Sequence, residues 1–172
     1  MKTLRPFLIM TTACLGVWAC SDDDNNNTET PDLNPVGTFN LVAVNITEEV
    51  DYNMNGTASS DLMLESGCYS GSFIQINEDG TFTSLYNHVD IISETGCNSE
   101  EGFGTWTSAG DVVTLLDESM TEPLEKMYTI SENENTITTV MPNAPYPDRD
   151  EEGNAIYTEG AVTLIFQKDG TE

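Results

Sequence analysis

From Gly37 onward, short runs rich in Val, Ile, Thr, Phe and Tyr alternate apolar with polar positions and are separated by Gly, Asn and Asp clusters. A period of two puts successive side chains on opposite faces, which predicts antiparallel strands with one buried face. The first strand is expected over residues 37–46 and the second over 71–77. A return strand over 81–92 follows a turn carrying Asp79-Gly80, a strong hairpin signal. In that strand Phe82, Tyr86, His88 and Asp90 share one face, and Leu85, Val89 and Ile91 the other. Residues 104–107 and 112–116 form a further hairpin across Ala109-Gly110-Asp111, 126–130 pairs with 136–141 across 131–135, and 161–167 closes the series. That makes about eight strands, and no segment sustains a helical period.

Consecutive, hairpin-linked strands must hide their edges, and rolling into an up-and-down barrel does so most economically. The fold class is therefore all-β, an antiparallel barrel of about eight strands, with a β-sandwich as the alternative. A barrel of this size either fills with side chains or holds one small ligand.

The N-terminus has a different character. Lys2 and Arg5 precede an apolar run over residues 6–18 that is too short to span a bilayer, and Ala19-Cys20-Ser21-Asp22-Asp23-Asp24 ends it. This resembles a bacterial lipoprotein signal peptide, which implies that residues 1–19 are removed and that Cys20 carries the acyl chains. Cys14 also follows an alanine but lies inside the apolar run. An ordinary secretory signal cut after Ala19, with the cysteine incidental, is the alternative. Several acyl chains hold a protein to a membrane far more firmly than one. The acidic run after Cys20 resembles the surface-export signal of Bacteroidota lipoproteins, implying an outer-membrane protein facing outward; a periplasm-facing tether is the alternative. Residues 20–35 are nearly devoid of apolar side chains and read as an acidic, disordered tether, leaving 36–172 as one domain.

The chain holds five Lys and Arg against thirty Asp and Glu; loss of Lys2 and Arg5 with the leader leaves three against thirty, a charge of −27. Such a body repels phosphate backbones and anionic headgroups, which argues against nucleic-acid binding, and it favours cations or basic partners. Acidity also simply keeps a surface protein soluble. Beyond Cys14 and Cys20 only Cys68 and Cys97 remain, an even pair that outside the cytoplasm is expected to form a disulfide. Without CxxC spacing, and with His88 as the sole histidine, the cysteines do not suggest a metal site.

Gly37-Thr38-Phe39, Cys68, Asn77-Glu78-Asp79-Gly80-Thr81-Phe82, Cys97, Gly104-Thr105-Trp106 and the closing Leu164-Ile165-Phe166 resemble, in order and spacing, the lipocalin-like domains of Bacteroidota lipoproteins. The resemblance covers roughly residues 36–168 and implies a lumen able to take a small hydrophobic molecule. Lipocalins open with Gly-x-Trp, whose indole packs across the closed end; here Phe39 holds that place and Trp106 sits in a second copy of the motif.

Chemistry has few candidates. A Ser-His-Asp triad would have to be built around His88, mid-strand and without a Gly-x-Ser-x-Gly elbow, so no enzyme is expected and no catalytic residue is assigned. Residues 148–159 match a calcium loop in part: Asp148, Asp150 and Glu152 fall at its first, third and fifth places, Gly153 at the sixth and Glu159 at the twelfth. The bland reading is an acidic hairpin tip, and weak Ca²⁺ binding is the only cofactor suggested. Alternation nominates Phe39, Leu41, Phe73, Phe82, Tyr86, Trp106, Tyr128 and Phe166 as core or as ligand contacts. The sequence thus points to a non-enzymatic, lipid-anchored surface lipoprotein that binds or carries a small hydrophobic molecule. The alternative is an accessory protein of a surface complex, with a filled barrel and a protein partner.

Overall fold

The computed structural model describes residues 33–170. Nine strands make one antiparallel sheet: β1 (Gly37–Val50), β2 (Ser59–Asp61), β3 (Phe73–Ile76), β4 (Thr81–Val89), β5 (Cys97–Ala109), β6 (Val112–Asp117), β7 (Leu124–Ile130), β8 (Thr136–Arg149) and β9 (Ala155–Lys168). From β3 on, each strand pairs with the next, and β9 returns to β1 through Phe39↔Lys168 to Ile46↔Val162. Eight strands therefore close into an up-and-down barrel, with β2 added beside β1. Rolling buries the apolar face of every strand against the others, and the pairing of β9 with β1 closes the sheet.

The expected strands exist, and several run further than their hydrophobic pattern. β5 begins at Cys97 and crosses Asn98-Ser99-Glu100-Glu101, polar on both faces. β8 continues through Pro142, Pro145 and Pro147 to Arg149, and β9 starts at Ala155 rather than near 161. Pro145 and Pro147 stand opposite Glu159 and Tyr157, two apart, so their missing N–H groups fall on the same side. That side is the one on which β8 pairs with β7 only at Thr129↔Thr138 and Ile130↔Ile137, so no ladder bond is lost. β4 stops at Val89, leaving Asp90, Ile91 and Ile92 in the turn to β5.

Between β1 and β3 lies an excursion that alternation does not signal: β2, a one-turn helix α1 (Leu62–Glu65) and a 3₁₀ turn (Gly67–Tyr69). Asp61 caps α1 by accepting from Met63 N at 3.0 Å and also accepts from Val44 N of β1 at 3.0 Å. Leu62 and Tyr69 are buried in the core. Ser72 locks the excursion to β4, donating to Tyr69 O at 2.8 Å and accepting from Asn87 N at 2.9 Å. Cys68 is bonded to Cys97, as expected, tying the 3₁₀ turn to the start of β5.

The signal peptide, Cys14, Cys20 and most of the expected tether lie outside the described residues. Its last part, 33–35, packs on the body: Leu33 is buried, and Asn34 N donates to Glu134 Oε1 at 2.9 Å.

Candidate functional site

The barrel is filled at one end and hollow at the other. Phe39, Ile76, Phe82, Val113, Leu115 and Ile137 are all at most 1% exposed and plug the end where β1 begins. Trp106 seals the rim there by donating Nε1–H to Asn77 O at 2.9 Å, while Lys168 Nζ lies 5.6 Å from the centre of the Phe39 ring. Phe39 thus occupies the floor, and Trp106 is bonded into the β3–β4 turn. Toward the other end the inward positions shrink to Ser84, Gly102 and Thr139, and space opens between the walls. A Cβ on Gly102 would come within 2.5 Å of Ser84 Oγ and 2.9 Å of Asp117 Oδ2, so a larger residue there would have to shift both side chains.

The resulting cavity has a volume of about 700 Å³, inside the range of about 300–1,000 Å³ usual for small-molecule sites. Tyr86, Tyr128, Met141, Leu164 and Phe166 give it an apolar and aromatic lining. It reaches the surface at the β7–β8 gap, where Lys126, Met127 and Tyr128 line one side and Thr139, Val140 and Met141 the other. Met120, Leu124, Met127 and Val140 border this opening and are exposed, an apolar rim that a soluble barrel ordinarily covers. A second chamber of about 250 Å³ adjoins the first, with Tyr86, Glu100 and Met141 lining both. Its other walls include Tyr69, His88, Pro145, Pro147 and Tyr157. Tyr157 spans from β9 to β4, its hydroxyl accepting from Ile91 N at 3.2 Å and donating to Val89 O at 3.3 Å.

The wall also holds one ion pair. Lys126 Nζ donates to Asp117 Oδ2 at 2.8 Å, and Ser119 donates to Asp117 Oδ1 through Oγ at 2.6 Å and N at 3.0 Å. Burial acts to raise the pKa of Asp117, but the Lys126 and Ser119 bonds outweigh it and hold the carboxyl at about 2. Tyr86 is pushed up to about 12 by burial and then by the Glu100 charge, and burial likewise raises Tyr128 and Tyr69. These phenols stay protonated and present neutral hydroxyls and ring faces. His88 stacks on Tyr86 with centroids 5.5 Å apart, and its Nδ1 is buried without a hydrogen-bond partner.

Of the residues nominated from alternation, Tyr86, Tyr128 and Phe166 line the cavity. Phe39, Leu41 and Phe82 are packed core beneath it, and Trp106 belongs to the closed end. Phe73 is a correction: it stands opposite Leu85 on the face away from buried Ile74 and Ile76. Asp117 and Lys126 were not nominated although their parity announces them. Asp117 continues Val113 and Leu115, and Lys126 precedes Tyr128 and Ile130, each at a spacing of two.

The calcium-loop spacing does not become a calcium loop. Asp148 lies in β8 opposite Ile156, and Glu159 lies in β9 opposite Pro145. At about 3.4 Å per residue Glu159 is roughly 14 Å along the hairpin from Ala155, whereas calcium ligands must all lie within about 2.6 Å of one point. Asp150 sits in the turn, where its carboxylate accepts from Glu152 N, Asn154 N and Asn154 Nδ2. Among the described residues no cluster of three or more His, Cys, Asp or Glu side chains could hold a metal. Arg149 pins the hairpin tip by donating to Tyr52 O at 2.9 Å and Gly153 O at 3.2 Å.

The fold and cavity define a closed eight-stranded antiparallel barrel with a hollow, laterally open lumen. Compared with protein families, with curated proteins and with solved structures, the chain matches none.

Proposed function

We propose that this chain is a non-enzymatic lipoprotein of the lipocalin-like kind, anchored through acyl chains on Cys20 at the outer membrane and facing outward, whose barrel takes up a small, mainly apolar molecule. The observation that carries the ligand reading is the cavity of about 700 Å³ lined by Tyr86, Tyr128, Met141, Leu164 and Phe166, with an apolar rim. A barrel serving only as a scaffold for protein contacts gains stability by filling that volume, since each missing contact forfeits dispersion and burial energy. The hollow half therefore supports a carrier over a filled accessory protein.

Binding is tested with N-phenyl-1-naphthylamine, a neutral probe that brightens in apolar surroundings. The parent should enhance its emission, and Met141→Trp, which fills the junction of the two chambers, should weaken binding by about tenfold while keeping a cooperative melt. No enhancement by the parent overturns the ligand reading. For the anchor, Cys20→Ala should move the protein from the membrane fraction to the soluble one, and retention in the membrane refutes lipidation at that residue.

A further inference from the structure

We propose that the molecule in the lumen is a cationic amphiphile, with an amine or ammonium head in the smaller chamber against Glu100, Tyr69, Tyr86 and Tyr157 and an apolar chain in the larger one. This rests on the reading of the barrel as a carrier and adds the chemistry of the head group. The two chambers share Tyr86, Glu100 and Met141 as common walls, and an elongated molecule that displaces the flexible Met141 side chain would reach from one into the other.

Charge decides the sign of the head. The charged residues lining the larger chamber are Glu100, Glu101, Asp117, Glu125 and Lys126, and the only cation among them is already held by Asp117 at 2.8 Å. A carboxylate or phosphate head would meet three further acids with no cation left to receive it. Glu100 is exposed, so its attraction for a cation is partly screened by solvent and weakens with salt. Among the described residues no hydrogen-bond donor or cation engages the Glu100 carboxylate, although it is shared by both chambers.

The smaller chamber adds faces suited to a cation. Tyr69, Tyr86 and Tyr157 line it together with His88, and the face of an aromatic ring carries negative potential that attracts ammonium groups. Two of these rings are fixed before any ligand arrives, Tyr157 by its bonds to Val89 and Ile91 and Tyr86 by its stack on His88. A site that is already ordered spares the ligand that cost. Pro145, Pro147 and Met141 complete the walls without a hydrogen-bond donor, so a primary ammonium and a quaternary one are both accommodated.

The test uses three probes with the same twelve-carbon tail: dodecyltrimethylammonium, dodecanol and dodecanoate, each below its micelle concentration. They compete against N-phenyl-1-naphthylamine on the full folded domain. The ammonium should bind about ten times more tightly than dodecanol, which corresponds to about 1.4 kcal/mol, and dodecanoate should bind most weakly. Glu100→Gln should remove the preference for the ammonium and leave dodecanol unchanged, while Glu78→Gln, an equal loss of charge in the β3–β4 turn, should alter neither. Raising the salt should narrow the gap between ammonium and dodecanol in the parent, an outcome that does not depend on any variant folding. Equal binding of ammonium and dodecanol, tightest binding of dodecanoate, or the same change from Glu78→Gln overturns the assignment and leaves the carrier reading intact. Failure of the naphthylamine itself to bind overturns both.

Discussion

Replacing Lys126 by methionine removes the cation bonded to Asp117 while keeping the length and apolar stem of the side chain. Asp117 is 2% exposed, and its carboxylate is held by Lys126 and Ser119. Its folded pKa of about 2 lies nearly two units below an unfolded value of about 3.9. At about 1.36 kcal/mol per unit that is worth roughly 2–3 kcal/mol in total. The Lys126 side chain is 38% exposed, and screening by solvent lowers its share to about 1–2 kcal/mol. Because the folded pKa is depressed, the stabilisation is complete above about pH 4 and is lost as the pH falls through about 2. Lys126→Met should therefore melt about 3–8 °C below the parent at pH 7, and the gap should close between pH 4 and pH 2. Circular-dichroism melts of both proteins from pH 7 to pH 2 measure it. Equal melting at pH 7, or a gap unchanged through the acid range, would refute the electrostatic account of this pair.

Reduction of Cys68–Cys97, separated by 29 residues, should cost about 3.5 kcal/mol by chain entropy and lower the melting temperature by roughly 10 °C; an unchanged melt under reductant removes the bridge from the stability of the fold. Gly104→Ala would drive its Cβ into the Leu116 carbonyl oxygen, a backbone atom that cannot step aside, and should destabilise by about 3 kcal/mol or more. Gly67→Ala, with nothing near its Cβ, should stay within about 0.5 kcal/mol of the parent, and similar melts for the two variants would contradict the packing described for β5 and β6.

The barrel was legible because a period of two, interrupted by turn residues, leaves few other solutions; Asp79-Gly80 in particular ends β3 and starts β4 where expected. Alternation fails where neither face must be apolar. Asn98 to Glu101 continue β5 at the hollow end, where the inward face meets the cavity and the outward face meets solvent, so the pattern there carries no signal. The expected strand ends at Met141, and the prolines beyond it fit a strand because β8 has only one neighbour along that stretch. The excursion over α1 stays silent because one turn of helix has no period to read. Of the site, the ring residues Tyr86, Tyr128 and Phe166 were found by their parity, whereas parity alone does not decide between a filled barrel and hollowness. It lies in the small volumes of Ser84, Gly102 and Thr139 at inward positions, a feature that polarity patterns ignore. The calcium spacing counted residues without the hairpin pairing that separates them.

An opening between two strands is also a pair of exposed sheet edges, and such edges recruit other strands unless something prevents it. β8 meets this hazard with Pro142, Pro145 and Pro147, which offer no N–H to an incoming chain, and β7 with the adjacent charges Glu125 and Lys126. These prolines thus keep the portal open to a small molecule while closing it to a polypeptide. Restoring two donors with Pro145→Thr and Pro147→Thr preserves β-propensity and leaves the Glu159 and Tyr157 pairings in place. The double variant should sediment as larger species than the parent at the same concentration, and should bind the naphthylamine probe less well as the edge is covered. Unchanged sedimentation with unchanged probe binding would show that the charges on β7 suffice and that the prolines serve another purpose.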